Sequence, residues 1–247
     1  MAVFVLVHGG LHGGWCWERI VPLLREAGHA VEAIDLPGAD GKLSGAAVTF
    51  DDYVAATVAA AARAREPAIL VGHSLGGRSI SAAAEARPDL VRALVYVTAL
   101  LPSPGMPENL PAAADNIIAS GFFPVDGGAS VMLEEGPARA GFYSDCSEAD
   151  AKAAFARIVP QPVQAMTQPV HLTHERWGGV PRFYVFTTED RTIPIAHQRQ
   201  MEALSPCADT FELPSGHSPF LTHPRELTEI LCALASQPAR PAKERQA

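Results

Sequence analysis

The chain has 247 residues, of which 48% are hydrophobic and 19% are charged, and its formal net charge is −8. This composition is typical of one globular domain with a sizeable core and excludes a disordered chain. Because the chain is acidic and has no run of Lys or Arg, nucleic acid and anionic membrane surfaces are not expected as partners.

The amino-terminal residues show no targeting signal. The apolar run over residues 2–7 is too short to span a bilayer, and it lacks the basic start and the small-residue cleavage site of a signal peptide. The four cysteines are scattered, without a C-x-x-C pair or metal-ligand spacing. We therefore expect reduced thiols and a cytoplasmic protein.

Short β-rich runs alternate with helical patterns along the first third of the chain. We predict strands over residues 3–7, 30–34 and 68–71 and helices over residues 17–27 and 53–65. The predicted strands are continuous apolar runs, which indicates that helices cover both faces of a parallel sheet.

After these elements the alternation continues and then breaks. A helix over residues 78–86 is expected to end before Pro88, and a strand follows over residues 91–97. Residues 99–179 are rich in Pro and Gly and contain short helical pieces, such as residues 148–158. We interpret this insertion as a lid without strands over the active-site end of the sheet.

The α/β alternation resumes near residue 180. Strands are predicted over residues 182–186 and 210–213, and helices over residues 195–204 and 225–235. The sheet should therefore contain about six parallel strands. The expected organisation is an α/β core formed by residues 1–98 and 180–236, an inserted cap formed by residues 99–179, and a flexible tail formed by residues 237–247.

The sequence Gly-His-Ser-Leu-Gly over residues 72–76 lies between a predicted strand and a predicted helix. This context is the one that a nucleophile elbow requires. The turn holds its serine, Ser74, in a strained conformation above the end of the sheet, and glycines are needed where neighbouring backbone is close.

A serine nucleophile needs a base and an acid that orients the base. His217 follows the last predicted strand, at the same edge of the sheet as Ser74, and is the candidate base. The loop after the strand over residues 182–186 offers two acids, Glu189 and Asp190, and the deeper position in the loop favours Asp190. The order serine, acid, histidine is that of α/β hydrolases.

The oxyanion of a tetrahedral intermediate needs hydrogen-bond donors. The backbone N–H of Leu75, which follows the nucleophile, is one candidate. A second candidate is the N–H of Gly10 in the loop after the first strand, where glycines allow the backbone to approach a substrate.

Four segments together resemble one branch of the α/β hydrolases, the plant methylesterases and hydroxynitrile lyases with their bacterial arylesterase-like and pyrethroid-hydrolase-like members. They are VLVHGGLHGGWCW at 5–17, DLPG at 35–38, VGHSLGG at 71–77 and SGH at 215–217. The resemblance implies the α/β-hydrolase fold, with a cap inserted after the fourth of six parallel strands. It assigns the triad to Ser74, Asp190 and His217 and the oxyanion donors to Gly10 and Leu75.

Within this branch, hydroxynitrile lyases resemble one another in three positions: Thr after the first-strand His, Glu before the nucleophile and Lys after the catalytic His. The matching residues here are Gly9, His73 and Ser218, which favour a carboxylesterase. The alternatives are a hydroxynitrile lyase and a ligand-binding protein that keeps the fold without turnover.

The expected reaction is hydrolysis of a small to medium aromatic or alkyl ester through an acyl-enzyme, with no metal or organic cofactor. The sequence does not settle the oligomeric state, and a homodimer is one of the states left open. Seven residues are candidates for the substrate pocket, although packing of the lid on the core would also explain its aromatic members. They are Gly9, His12, Trp15, Phe122, Phe123, Phe142 and Trp177.

Overall fold

The computed structural model describes residues 1–41, 45–105 and 117–237. In chain order its strands are β1 (Val3–Val7), β2 (Ala30–Ile34), β3 (Ala68–His73), β4 (Val91–Val97), β5 (Phe122–Val125), β6 (Ser130–Leu133), β7 (Gln161–Pro162), β8 (Arg182–Thr187) and β9 (Asp209–Leu213). Its helices are α1 (Ile20–Glu26), α2 (Phe50–Ala62), α3 (Gly76–Ala86), α4 (Glu135–Gly141), α5 (Glu148–Phe155), α6 (Val163–Thr167), α7 (Ile195–Leu204), α8 (Pro219–Thr222) and α9 (Pro224–Ser236).

Six parallel strands form the central sheet, in the order β2-β1-β3-β4-β8-β9. This confirms the predicted sheet of six parallel strands. Successive side chains of β1 show why its sequence is apolar throughout. Phe4 and Leu6 join a core with α1 and α9 on one face, whereas Val5 and Val7 join a core with α2, α3 and α7 on the other.

Local signals fix the ends of several helices. Thr49 accepts the Asp52 N–H while the Asp52 carboxylate accepts the Thr49 N–H, a capping box that starts α2. Gly28, at φ 83°, follows the end of α1, where the backbone turns left-handed. The helix predicted from residue 17 begins at Ile20 instead, because Gly14–Trp17 form a separate 3-10 turn.

The inserted segment contains a second sheet of three short antiparallel strands, β5-β6-β7, so the prediction of a lid without strands is wrong. A turn over Asp126–Gly128 joins β5 to β6, and all three of its residues have positive φ. Because an Asp-Gly pair between two apolar runs is a hairpin signal, the sequence did carry evidence for this pair of strands.

Arg78 fastens this segment to the core. It lies on α3, four residues after Ser74, and its guanidinium donates to the carbonyls of Met166 and Gln168 at the end of α6.

Residues 106–116 of the expected cap and residues 238–247 of the expected tail lie outside the described residues. None of the helices in the described ranges has the length and apolar composition needed to cross a bilayer.

Candidate active site

The predicted nucleophile elbow is the turn between β3 and α3. Ser74, at φ 51°, occupies the left-handed region that side-chain-bearing residues rarely adopt. A Cβ on Gly72 would lie 2.8 Å from the Gly76 carbonyl oxygen, and one on Gly76 would lie 2.6 Å from the His8 carbonyl oxygen. The turn can therefore be this tight only because both positions are glycine.

The structure brings Ser74, His217 and Asp190 into one hydrogen-bonded chain at the carboxyl edge of the sheet. The His217 Nε2 atom lies 3.1 Å from the Ser74 Oγ, and the His217 Nδ1 atom lies 2.7 Å from the Asp190 Oδ2. Glu189, the other candidate acid, is exposed to solvent. His217 and Asp190 are buried, whereas Ser74, the candidate nucleophile, is partly exposed.

Both oxygens of Asp190 are held by donors other than His217. Oδ2 accepts hydrogen bonds from the Thr98 and Thr187 hydroxyls, and Oδ1 accepts the N–H groups of Thr192 at 2.6 Å and Ile193 at 2.9 Å. Sequence reasoning missed Thr98, which follows β4 and has a positive φ of 38°. These bonds fix the orientation of the carboxylate toward His217.

The loop after β1 places Gly9 and Gly10 against the elbow. A Cβ on Gly9 would lie 2.8 Å from the Ser74 Cβ, and a Cβ on Gly10 would lie 3.4 Å from the Leu75 Cδ2. The backbone segments that carry the two predicted oxyanion donors, Gly10 and Leu75, are thus neighbours in space. This is the arrangement that an oxyanion site needs.

Two further side chains hold this loop. His8 connects the loop to the segment after β2. Its Nδ1 atom lies 2.8 Å from the Gly9 carbonyl oxygen, and its Nε2 atom accepts the Leu36 N–H. Gln161 reaches it from β7, where its side-chain oxygen accepts the Leu11 N–H at 3.2 Å. Sequence reasoning did not identify Gln161, because nothing in its local pattern shows that the cap returns to this loop.

Aromatic side chains surround the imidazole rings of the site. The Phe142 ring stacks on His217, with ring centroids 5.4 Å apart and an angle of 21° between the planes. The Trp15 ring stacks on the His12 ring, with centroids 5.3 Å apart. The Arg157 guanidinium in turn lies over the Trp15 ring, 4.5 Å from its centroid. Among the pocket candidates, Phe142, His12 and Gly9 therefore belong to the immediate surroundings of the triad.

Trp177 does not belong to these surroundings. It is 1% exposed, its Nε1–H donates to the Tyr96 hydroxyl, and the Arg182 guanidinium lies 4.1 Å from its ring centroid. Because Arg182 begins β8, this contact lies at the amino edge of the sheet, opposite the triad. The expectation that Trp177 lines the pocket is therefore wrong, and its role is core packing.

Phe122 and Phe123 belong to β5 of the cap sheet. Phe122 is partly buried against the core, and Phe123 is 40% exposed. Among the described residues, no group of three or more His, Cys, Asp or Glu side chains is placed to hold a metal ion.

Comparison with known proteins identifies the family. The alpha/beta hydrolase family matches residues 4–230. The chain belongs to this family. Its relatives include the pyrethroid hydrolase of Sphingobium wenxiniae, which is 35% identical over 95% of this chain and 88% of the relative. They also include an α-hydroxynitrile lyase of Arabidopsis thaliana, which is 30% identical over 94% of this chain and 96% of the relative.

A third relative has a solved structure. The polyneuridine aldehyde esterase of Rauvolfia serpentina is 30% identical over 92% of this chain and 93% of the relative. A crystal structure of polyneuridine aldehyde esterase superposes with a TM-score of 0.88 at 27% identity, covering 96% of this chain and all of that one. This confirms the predicted α/β-hydrolase fold.

In this α/β hydrolase, the residue before the candidate nucleophile supports the loop that carries His217. Burial holds the pKa of His73 well below its usual value, so its ring is neutral. The His73 Nε2 atom lies 2.8 Å from the His217 carbonyl oxygen, which can only accept, so Nε2 carries the proton. His73 therefore anchors the backbone of His217, and His217 remains the candidate base.

Proposed function

We propose that this protein is a serine carboxylesterase that hydrolyses small to medium apolar esters through an acyl-enzyme on Ser74. Its family and its esterase relatives make it a hydrolase of carboxylic esters. The observation that carries the serine mechanism is the hydrogen-bonded chain from the Ser74 hydroxyl through His217 to Asp190.

In the acylation step, the Ser74 oxygen attacks the ester carbonyl carbon while the His217 Nε2 atom takes the hydroxyl proton. Asp190 accepts the Nδ1–H of His217, which fixes the tautomer and stabilises the imidazolium. His217 then returns this proton to the alkoxide leaving group. The alcohol departs, and the acyl group remains on Ser74.

Deacylation repeats these steps with water as the nucleophile. His217 takes a proton from water, the resulting hydroxide attacks the acyl carbon, and the proton goes to the Ser74 oxygen as the acid leaves. In both halves, the N–H groups of Gly10 and Leu75 donate to the oxyanion. Removing one such donor typically costs about 10²–10³-fold in rate.

The apolar surroundings of the triad support the proposed substrate class. The Phe142 ring lies on the catalytic imidazole, and the Leu75 side chain lies beside the predicted oxyanion donor Gly10. An apolar acyl or alcohol group placed here would be removed from water.

The direct test is Ser74→Ala in purified protein with p-nitrophenyl acetate, followed by a panel that varies the acyl and alcohol parts independently. We expect loss of turnover in this variant and retention of turnover in the control Ser79→Ala. Ser79 lies on α3, the helix that follows Ser74, and its hydroxyl has no hydrogen-bond partner among the described residues. Full turnover by Ser74→Ala would refute the serine mechanism.

A hydroxynitrile lyase is the second candidate, because one relative carries that activity in its name. The structure offers no cation at the position after the catalytic histidine. Ser218 is buried there, and its hydroxyl donates to the Phe142 carbonyl at 2.7 Å. We expect no release of benzaldehyde from mandelonitrile above a buffer control, and release that depends on Ser74 would favour the lyase.

A non-catalytic binding protein is the remaining alternative. A fluorophosphonate probe forms a covalent bond with an activated serine, so we expect labelling of Ser74 that is lost in Ser74→Ala. A folded wild-type protein whose Ser74 stays unlabelled would favour the binding role.

A further inference from the structure

Residues 142–145, between α4 and α5 of the cap, contact the loop that carries the catalytic histidine. The Asp145 carboxylate accepts the Gly216 N–H at 2.7 Å and the Ser215 hydroxyl at 3.3 Å, both through Oδ2. A Cβ on Gly216 would lie 2.4 Å from the Asp145 Oδ1 atom. The approach of the carboxylate to this backbone is therefore close and depends on glycine.

The same segment holds the other side of His217. The Ser218 hydroxyl donates to the Phe142 carbonyl at 2.7 Å, and the Phe142 ring stacks on the imidazole. The residues before and after His217 are thus both bound to the cap, and the ring itself is packed against it.

Tyr143, in the middle of the segment, instead reaches the loop after β1. We call this loop, which carries the predicted oxyanion donor Gly10, the oxyanion loop. Its hydroxyl lies 2.9 Å from the His12 Nε2 atom, and the His12 Nδ1 atom lies 2.8 Å from the Gly10 carbonyl oxygen. Burial lowers the pKa of His12 to about 3 and raises that of the Tyr143 phenol, so the ring is neutral and the phenol keeps its proton. The directions follow: Tyr143 donates to Nε2, and Nδ1–H donates to the Gly10 carbonyl.

We propose that residues 142–145 form a positioning bridge that sets the catalytic-histidine loop and the oxyanion loop relative to each other. Tyr143 and Asp145 are its positioning residues, acting through His12 and Gly216 without contact to the reacting atoms. The inference rests on the proposed serine mechanism. Its physical basis is that the general base and the oxyanion donors come from separate loops, and a displacement of about 1 Å can cost about 10²-fold in rate.

The experiment compares Tyr143→Phe and Asp145→Ala with the wild-type enzyme on p-nitrophenyl acetate. We expect kcat to fall about tenfold in each variant, with KM changed by less than about threefold, because an interaction lost mainly in the transition state lowers kcat. Asp145→Asn should recover most of the rate, since its side-chain oxygen can still accept the Gly216 N–H.

The matched control is Tyr96→Phe. Tyr96 is also buried, and its hydroxyl bonds to Ser81 and Trp177, neither of which belongs to the two loops. Its loss should leave kcat unchanged even where it lowers the midpoint of thermal unfolding. Tyr143→Phe removes one oxygen without changing the shape of the ring. Its kcat therefore still tests the bridge if Asp145→Ala does not fold.

Unchanged kcat in Tyr143→Phe would overturn the bridge. So would a rise in KM alone, which would indicate contact with the substrate, or an equal loss of kcat in Tyr96→Phe, which would indicate a general effect of stability. A wild-type enzyme without esterase activity and without reactive Ser74 would overturn the serine mechanism, and the bridge with it. An active wild-type enzyme whose Tyr143→Phe and Asp145→Ala variants keep the wild-type kcat overturns the bridge alone.

Discussion

Replacing Asp190 by Asn tests the triad with little change in shape. In the wild-type structure, Oδ1 accepts the N–H groups of Thr192 and Ile193, and Oδ2 faces the Nδ1 atom of His217. Because the two backbone N–H groups can only donate, the Asn oxygen must occupy the Oδ1 position. The amide NH₂ then points at His217 in place of Oδ2.

This orientation determines the tautomer of the imidazole. An NH₂ group facing Nδ1 makes Nδ1 an acceptor and moves the ring proton to Nε2, which lies 3.1 Å from the Ser74 oxygen. A protonated Nε2 cannot take the hydroxyl proton. In another serine hydrolase the same change of tautomer lowers kcat by about 10⁴-fold, which corresponds to about 5.4 kcal/mol of lost transition-state stabilisation.

The assay is steady-state hydrolysis of p-nitrophenyl acetate by Asp190→Asn, with thermal unfolding measured on the same samples. We expect kcat to fall by about 10⁴-fold and the unfolding midpoint to stay close to that of the wild type. The control is Glu189→Gln, an exposed neighbour that should keep full activity. A folded Asp190→Asn enzyme within tenfold of the wild-type kcat would refute the tautomer argument.

Three further predictions follow from the same geometry. Gly9→Ala would bring a Cβ to 2.8 Å from the Ser74 Cβ, so we expect kcat to fall more than about tenfold; a wild-type rate would contradict this. Thr98→Val removes a hydroxyl donor from the Asp190 carboxylate, and kinetics should show a loss of about tenfold in kcat, which an unchanged rate would exclude. His12 has a native pKa of about 3 against about 6.5 in the unfolded chain, so acid favours the unfolded state and stability is lost as the pH falls from 6.5 towards 3. In urea unfolding, His12 should lower the free energy of unfolding by about 2 kcal/mol between pH 7 and pH 5, and His12→Gln should reduce this pH dependence. If the unfolding free energies of the wild type and of His12→Gln change equally with pH, His12 is not buried as a neutral ring.

The parallel core was predictable because each strand carries its own signal. The run that forms β1 is apolar throughout, those that form β2 and β4 each contain a single charged residue, and the bounds of all three agree with the predicted ones. In contrast, β7 contains only Gln161 and Pro162, and its existence depends on pairing with β6. No local pattern specifies a two-residue strand, so it could not be found without the fold.

The proposed site likewise has residues that the sequence could predict and residues that it could not. Ser74, Asp190 and His217 each follow a strand of the parallel sheet, and the carboxyl ends of such strands share one edge, so topology alone brings their loops together. Tyr143 and Asp145 lie in the irregular cap, where a position in the sequence does not determine a position in space. The local sequence around an aromatic residue of that segment does not show whether the side chain contacts the site or the core. For Trp177 this ambiguity led to the wrong prediction.

The contacts of the cap bear on how substrate specificity and catalysis are related in this fold. If the cap only covered the site, its sequence could vary with the substrate at no cost in rate. Here Gln161 binds the Leu11 N–H, Tyr143 bonds to His12, and Asp145 holds Gly216. Each of these cap side chains reaches a loop that carries the proposed machinery. A cap exchanged for another specificity must therefore keep these three hydrogen bonds, since otherwise both loops lose donors or acceptors that fix them.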